Sequence, residues 1–552
     1  MAVAGTAPGG QVPPGPAADV VVVGFGAAGA CAALEACATG ASVVIVERFS
    51  GGGATALSGG VVYAGGGTGP QVEAGVTDTV AAMFDYLSLE VGEAVTRATL
   101  DEFCVQSAAM LRWLAGLGVR FEGSLCQDKT SYPPRRQYLY YSGSERSFAH
   151  VAPPAPRGHR AVGRGTSGRA MYRALAAAVA ERPGITVLAQ TAAKQLVTDG
   201  AGRVTGVDSL TLRGAPAWAA FAHRVLHRAS KKPYLYLPKV GRALHRRVAR
   251  LEGRYGRPLR VTAHGGVVLA AGGFAANRAL MREHAPAYRG GLALATPGDD
   301  GSGIGLGTQA GAATRLLHRV SVWRFISPPS ALVRGVIVDQ AGQRVCDESR
   351  YGAAIGDAMV SRHGGRAWLL ADRRIVAAAR RELRQSALGP NSALWFQSLQ
   401  GWYLLSAARV SATSVSDVAE RAGVDPAGLA ATLEAYNAAA AAGQPDALGK
   451  PADLARVIDQ PPYSLIDLSI RPRPAYPAPM LTLGGLVVAE RSGQVLRRDG
   501  SAIGGLYAAG RTAVGLCSNS YVSGLSLADC VFSGRRAGRH AALAAPAAAA
   551  GK

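Results

Sequence analysis

A short apolar run that leads directly into a glycine-rich loop constrains the fold of this chain more than any other feature. Residues 19–23 read Asp-Val-Val-Val-Val, and residues 24–29 read Gly-Phe-Gly-Ala-Ala-Gly. Such a β-branched run is typical of a strand buried on both faces of a parallel sheet. An alanine-rich helical stretch continues to about Thr39, and a second strand, 42–46, ends at Glu47. The pattern predicts a complete β-α-β unit and therefore an α/β fold of the Rossmann type.

The glycine loop has the G-x-G-x-x-G spacing of a dinucleotide-binding site. Gly24 would permit the tight turn, Gly26 would let the backbone approach a pyrophosphate at the helix N-terminus, and Gly29 would allow the helix to pack on the strand. Glu47 would accept hydrogen bonds from the adenosine ribose. The alternative is a purely structural glycine turn. The cofactor contacts predicted in this unit are Gly24, Gly26, Ala27, Ala28, Gly29, Glu47 and Arg48.

Two further apolar strands, 266–271 and 506–509, predict that the chain returns twice to the same sheet. The segment between them has separate helical patterns, of which 416–442 is the clearest, so we expect a domain inserted into the nucleotide-binding fold. The expected organisation is a flexible tail at 1–18, a nucleotide-binding domain formed by 19–313 and 478–552, a basic insertion within it at 213–260, and a catalytic substrate domain at 314–477.

A second glycine loop, residues 51–60, lies too close to the first to belong to a separate site. An FAD is long enough to need both loops, which favours FAD over NAD. This loop and the motifs at 270–274, 298–301 and 504–510 resemble the fumarate reductase and ketosteroid dehydrogenase superfamily of flavoproteins. The resemblance implies a glutathione reductase-like FAD-binding domain with an inserted α+β capping domain. It assigns to FAD the residues Thr55, Ala56, Ser58, Gly59, Gly60, Ala271, Gly272, Asp300, Gly510 and Arg511.

Two departures from the superfamily pattern refine this prediction. Members that hold the flavin covalently have a histidine in the second glycine loop, and none occurs from Ser50 to Gly60, which implies noncovalent FAD. Arg511 stands where the superfamily usually has an acidic residue or asparagine. No arginine lies between Arg511 and Arg535, so a dicarboxylate substrate would lack its usual counter-ions.

The segment 520–529, Ser-Tyr-Val-Ser-Gly-Leu-Ser-Leu-Ala-Asp, resembles the 3-ketosteroid Δ4-(5α)-dehydrogenases. The resemblance implies that Tyr521 and Ser523 line the substrate face of the flavin. It also implies that a helix starting near Leu525 directs its first amides at the flavin, where they would stabilise the reduced ring. These amides belong to Leu525, Ser526 and Leu527. The alternative for Tyr521 is ordinary packing beside that helix.

A third catalytic residue is implied by the segment 338–352, which resembles a strand-turn-strand that delivers catalytic groups over the flavin and ends here in Tyr351. The tyrosines at 138, 140 and 141 are expected to form pocket wall. In the expected reaction Tyr521 donates a hydrogen bond to the ketone of a lipophilic substrate, while Ser523 and Tyr351 relay the α-proton. Flavin N5 takes the hydride, and an external acceptor removes the electrons.

Several functions remain open at this point. The same residues can reduce an enone, or serve a dehydrogenase that tailors a polyketide or terpenoid. A fumarate reductase-like activity fits less well because of the missing arginines. The alternative outside enzymes is a basic binding protein that retains FAD as a structural element.

The net charge of +22 is concentrated in residues 213–260, which hold 13 basic side chains against the single acid Glu252. Elsewhere the excess of arginine over lysine is typical of a coding bias, and no nucleic-acid partner is expected. Apolar residues recur in this segment at helical spacing: Phe221, Val225, Leu226, Val240, Leu244, Val248 and Leu251. These stripes either pack on the FAD domain or belong to a basic hairpin that rests on an anionic membrane.

The seven cysteines form no C-x-x-C pair, which indicates neither a disulfide framework nor a zinc site and favours a reducing compartment. The first residues lack the layout of a signal peptide, and no apolar run is long enough to span a bilayer. We therefore expect a cytoplasmic protein, located peripherally at the inner membrane face if the hairpin binds lipid.

Overall fold

The computed structural model describes residues 12–127, 130–133, 136–288, 290–387, 395–473 and 475–546. The strands along these residues are β1 (Pro14–Val23), β2 (Val43–Val46), β3 (Val61–Tyr63), β4 (Leu125–Cys126), β5 (Leu139–Tyr140), β6 (Gly158–Arg160), β7 (Ile185–Leu188), β8 (Thr191–Thr198), β9 (Val204–Thr211), β10 (Arg257–Leu269), β11 (Leu292–Ala293), β12 (Thr314–Arg315), β13 (Val320–Val322), β14 (Val336–Val338), β15 (Trp368–Ala371), β16 (Arg409–Ala412), β17 (Tyr463–Asp467), β18 (Pro479–Thr482), β19 (Gly485–Leu486), β20 (Gln494–Leu496) and β21 (Ala502–Ala508).

The helices alternate with these strands through most of the chain. They are α1 (Ala27–Ala38), α2 (Gly69–Glu73), α3 (Val80–Val91), α4 (Arg97–Gly116), α5 (Gly168–Ala180), α6 (Ala217–Tyr236), α7 (Pro238–Tyr255), α8 (Arg278–His284), α9 (Ser302–Gln309), α10 (Gly352–His363), α11 (Arg373–Ala387), α12 (Trp395–Leu404), α13 (Val415–Ala422), α14 (Pro426–Ala441) and α15 (Leu525–Leu543).

The central sheet brings together strands from the beginning, middle and end of the chain in the order β20-β21-β10-β1-β2-β7. Strand β1 pairs in parallel with β2 and β10, and β10 pairs in parallel with β21. The predicted return strands therefore lie in one sheet, and the predicted α/β fold is confirmed. Helix α15 packs on α1 through Gly534 and Gly538, where an added Cβ would lie 2.5 and 2.1 Å from backbone oxygens of α1.

The N-terminal boundary was predicted too late. Strand β1 begins at Pro14, where it pairs with Arg260, so residues 14–18 belong to the sheet and not to the expected tail. The pairing is possible because β10 starts at Arg257, nine residues before the predicted start of that strand.

The inserted domain has its own sheet, β14-β15-β17-β16, and its own core from Ile326 to Tyr476. Its predicted boundary at 314 was too early, because β12 and β13 pair with β19 and β18, which follow the insertion. The helical pattern at 416–442 is two helices, α13 and α14. The break occurs at Gly423, whose φ is +71°, and Asp425 caps the second helix by accepting from the Gly428 amide.

The basic insertion forms the predicted helical hairpin, in which α6 and α7 pack together. An added Cβ at Gly241 would lie 2.3 Å from Cα of Tyr234, so the helices cross in close contact. Of the predicted apolar stripes only Val248 is fully buried, whereas Phe221, Val225 and Val240 are exposed. These three do not pack on the FAD domain as one alternative required. Within the described ranges no helix is long and apolar enough to span a bilayer.

Candidate functional site

One cavity of about 2480 Å³ runs between the central sheet and the inserted domain. Its walls include both glycine loops, the carboxyl ends of β1 and β10, and the N-terminus of α15. Leu399, Gln400 and Arg471 of the inserted domain contribute to the same wall. A crevice at the carboxyl ends of parallel strands is the usual ligand site of such sheets.

The first glycine loop has three distinct glycine environments. Gly24 has a φ of +104°, which L side chains rarely adopt. An added Cβ at Gly29 would lie 2.0 Å from the carbonyl oxygen of Gly24, so this glycine permits the helix to pack, as predicted. At Gly26 an added Cβ would meet only Thr55 Oγ1, at 3.4 Å, and Gly26 lines the cavity. A side chain would therefore collide with backbone at Gly24 and Gly29, whereas at Gly26 it would find room at the cavity wall.

The helix that follows leaves its N-terminal end available to a ligand. Gly26 is the N-cap of α1 and provides no side chain to bind the first amides. The Ala27 amide donates to Thr55 Oγ1 at 3.0 Å, which joins the two glycine loops. Ala27 and Ala28 line the cavity, and the positive end of a helix dipole favours a phosphate there.

Glu47 is held at the end of β2 by two backbone amides. Its Oε2 accepts from Phe25 N at 2.9 Å and its Oε1 from Phe49 N at 2.8 Å, so its position in the cavity wall is defined. Arg48 makes ion pairs with Glu252 of α7 at 2.9 Å and with Asp300 at 2.8 Å. Burial opposes the ionisation of Glu252, but hydrogen bonds from His223 and Arg48 lower the pKa of this carboxyl to about 2.

The second glycine loop places all five of its predicted contacts at the cavity: Thr55, Ala56, Ser58, Gly59 and Gly60. The loop holds its own shape, because the Ser58 hydroxyl donates to Thr55 O and accepts from Gly60 N. On the opposite wall lie Ala271, Gly272, Asp300 and Arg511. The Arg511 guanidinium donates to Asp299 at 2.6 Å, which compensates its buried charge.

Gly510 and Leu525 were predicted to contact the cofactor, but they lie behind the cavity wall, as Gly29 does. An added Cβ at Gly510 would be 2.9 Å from Cβ of Ala28, so Gly510 packs on α1. Leu525 is fully buried, whereas its neighbours Ser526 and Leu527 line the cavity. The N-cap of α15 is Gly524, with a φ of +93° and no capping side chain, so this helix also directs its positive end at the cavity.

At the far end of the cavity, four aromatic side chains form a cluster that includes two predicted catalytic residues. The rings of Tyr351 and Tyr521 have centroids 6.4 Å apart, Trp323 lies 5.1 Å from Tyr521, and Phe325 lies 5.7 Å from Tyr351. All four line the cavity. Burial raises the pKa of both tyrosines well above the usual value, so they are neutral hydrogen-bond donors.

The third predicted catalytic residue, Ser523, connects to this cluster. Its hydroxyl lies near that of Tyr351 and shares a hydrogen bond of 3.1 Å with the hydroxyl of Tyr140. Ser142 Oγ donates to the backbone oxygen of Ser523 at 2.9 Å. Ser523 directly precedes the N-cap of α15, so negative charge developing on its oxygen would be stabilised by the helix.

Sequence reasoning missed part of this end of the site. Trp323 and Phe325 were not identified, because isolated aromatic residues in an apolar sequence look like core. Tyr140 was assigned to the pocket wall, but it lies behind the wall and contacts Ser523. The tyrosine cluster around 140 was the available signal.

The residues of this cavity fit an FAD. The open space at Gly26 and the two helix N-termini suit a pyrophosphate at one end and the electron-rich edge of a reduced flavin at the other. Glu47 suits a ribose.

Comparisons with known proteins agree with this fit. Residues 19–526 match a family model described as an FAD binding domain. A 3-oxo-5-alpha-steroid 4-dehydrogenase from Comamonas testosteroni is 38% identical over 507 residues, which cover 90% of this chain and 92% of that protein. The structure of 3-ketosteroid-delta4-(5alpha)-dehydrogenase from Rhodococcus jostii RHA1, in complex with 4-androstene-3,17-dione, has a TM-score of 0.78 at 31% identity and covers 96% of this chain and 97% of that chain. The structure of a flavocytochrome c3 fumarate reductase has a TM-score of 0.59 at 23% identity. The match covers 96% of this chain and 79% of that chain, and the two share the fold.

Proposed function

The chain belongs to the family of proteins built on this FAD-binding domain, and from that premise we propose that it is a 3-oxosteroid 4-dehydrogenase. It is an FAD-dependent oxidoreductase that acts on a CH–CH bond. The proposed substrate is a 5α-reduced 3-oxosteroid, by similarity to the named relatives from Comamonas and Rhodococcus. The observation that carries the proposal is the arrangement of Tyr521, Tyr351 and Ser523 at one end of the FAD cavity.

The proposed chemistry divides between the protein and the cofactor. Tyr521 donates a hydrogen bond to the ketone oxygen, which acidifies the neighbouring α-carbon. Ser523 receives the α-proton as it passes its own proton to the neighbouring Tyr351, and Tyr351 in turn releases its phenolic proton toward solvent. Bound FAD supplies the acceptor for the hydride that leaves the β-carbon. The substrate loses two electrons and gains a carbon–carbon double bond conjugated to its ketone, and an external acceptor then removes the electrons.

The alternatives are less well supported by the same site. A fumarate reductase needs free arginines for two carboxylates, and Arg511 is already paired with Asp299. An enone reductase would use the same residues in reverse, and only the direction of electron flow distinguishes it. A binding protein that merely contains FAD leaves the hydrogen-bonded set of hydroxyls unexplained.

An anaerobic titration of the purified protein tests the proposal directly. We expect a 5α-reduced 3-oxosteroid to bleach the visible flavin absorbance, with formation of the 4-ene product. The matched control is the same steroid with a hydroxyl in place of the 3-ketone, which should leave the spectrum unchanged because its α-proton is not acidified. Bleaching by neither steroid, together with rapid reoxidation of chemically reduced enzyme by a 4-ene-3-oxosteroid, would support the reductase instead.

The outer face of the hairpin supports a further proposal, that the protein docks on an anionic membrane from the cytoplasmic side. Trp218, Phe221 and Val225 share one face of α6 and are 57%, 62% and 47% exposed. Leu237 and Val240, at the turn between the helices, are 61% and 49% exposed. Exposed basic side chains, among them Arg224, Arg228 and Lys239, lie along the same two helices, and each can contribute about 1 kcal/mol near anionic lipid. A lipophilic ketone partitions into membranes, so docking would place the cavity near its supply.

Vesicle cosedimentation tests this docking. We expect binding to anionic but not zwitterionic vesicles, weakened by salt. The double substitution Trp218→Ser and Phe221→Ser should reduce binding at least about tenfold, because burying two aromatic side chains is worth more than 1.4 kcal/mol. The matched control replaces Val72 and Val105, which are 68% and 59% exposed elsewhere on the surface, and should bind like the wild type. Equal binding by both double variants would contradict the proposal.

A further inference from the structure

The inner face of the hairpin is anchored on the residues that follow Glu47. Arg48 holds α7 through its ion pair with Glu252. The ring of Phe49 stacks on the imidazole of His227 in α6, with centroids 3.7 Å apart and planes only 2° from parallel. Gln190 adds hydrogen bonds to Ala220 O at 2.9 Å and to His223 at 3.0 Å. The hairpin is therefore fixed against the end of the cavity where Glu47 lies.

The hairpin also contributes directly to the wall of the cavity. The residues that line it from this segment are His227, Lys231, Lys232 and Pro238. Lys231 is close enough to Glu47 and Arg169 to interact with both electrostatically, and burial lowers the pKa of its ammonium group. In the described part of the chain, Lys231 makes no ion pair with a carboxylate. A half-buried cation without an ion pair, beside the residue that would bind the adenosine ribose, suits the phosphate of the AMP half of the cofactor.

We propose that the hairpin is a clamp on the AMP half of FAD, in which Lys231 provides the charged contact and the Phe49–His227 stack holds the clamp against β2. The flavin half would bind at the aromatic cluster and Ser526, a group to which the hairpin contributes no residue. The clamp therefore acts on FAD but not on FMN, which lacks the AMP moiety. Its contribution should appear as slow release of FAD and as a preference for FAD over FMN.

Release of FAD from the holoenzyme provides the first measurement. After dilution, the rise in flavin fluorescence should be at least about tenfold faster for Lys231→Met than for the wild type, since the variant loses a charge-assisted hydrogen bond to the cofactor. His227→Ala should accelerate release as well, because it removes the stack on Phe49. The control is Lys239→Met, an exposed lysine of α7 outside the cavity wall, which should release FAD at the wild-type rate.

Exchange of the holoenzyme into FMN separates a clamp from a general loss of structure. The dissociation constant for FMN should be the same in the wild type and in Lys231→Met. The preference for FAD over FMN, measured as the ratio of the two dissociation constants, should therefore fall about tenfold in the variant. An unchanged rate of FAD release in Lys231→Met would overturn the proposal. An equal loss of affinity for FAD and FMN would also overturn it, because the substitution would then act on the fold and not on the AMP half.

Discussion

Replacing Tyr521 by phenylalanine is expected to slow reduction of the flavin by a 3-oxosteroid about 100-fold or more, the scale of losing one donor to a developing oxyanion. The phenol lies in the cavity beside Tyr351 and Trp323, and its raised pKa keeps it protonated. FAD should remain bound, because the substitution touches only the substrate end. Stopped-flow absorbance at saturating steroid measures the effect.

The control for this experiment is Tyr463→Phe, in strand β17 of the inserted domain and outside the cavity wall, which should reduce at the wild-type rate. Ser523→Ala and Tyr351→Phe should also slow reduction. Because these two hydroxyls act in one proposed proton relay, the double variant should be little slower than the slower single variant. Wild-type rates in Tyr521→Phe would refute the assigned role of the tyrosine and favour a protein that only binds FAD.

Gly26→Val is expected to yield a folded protein without flavin. An added Cβ at Gly26 meets only Thr55 Oγ1 at 3.4 Å, and the backbone of Gly26 is extended, so the fold tolerates the side chain. The valine methyls would then occupy the space in which the pyrophosphate approaches α1. The visible absorbance of the purified variant measures the loss of flavin. The flavin released from the wild type by acid serves as the reference for full occupancy. The release also tests noncovalent attachment.

Gly29→Val distinguishes this effect from a damaged turn. Its Cβ would lie 2.0 Å from the oxygen of Gly24, so we expect loss of the fold itself, seen by circular dichroism. A yellow, fully occupied Gly26→Val protein would mean that the phosphate site lies elsewhere. A colourless but well-folded variant would exclude the purely structural glycine turn.

The sequence predicted those parts of the fold and the site that depend on local patterns. The β-α-β unit, both glycine loops and the return strands follow from neighbouring residues. The resemblance to the 3-ketosteroid Δ4-(5α)-dehydrogenases likewise depends on ten consecutive residues around Tyr521. Residues 14–18 were misassigned because their small, proline-rich composition is typical of a tail, whereas a partner strand from residue 257 onward pairs with them. Local propensity is overridden wherever such a distant partner exists.

The part of the site that was not predicted also depends on contacts between residues far apart in the sequence. Tyr140 and Ser523 are 383 positions apart, and neither has a local signal for the other. Trp323 and Phe325 face the cavity because β13 pairs with β18 across the inserted domain, a pairing that the sequence pattern does not specify. The expected packing of Phe221 and Val225 failed because periodicity identifies an apolar face but not its partner.

The parallel pairing of β1 with both β2 and β10 has a consequence for the order of events during synthesis. At about 5–20 residues per second, β10 follows β1 from the ribosome after roughly 10–50 s, and β21 and α15 come later still. Until then the first glycine loop is present without the later segments that complete the wall of the FAD cavity. The complete site for FAD therefore exists only after β21 and α15 have been made, and because a ligand stabilises only the folded state, free FAD present at that moment stabilises the newly folded protein.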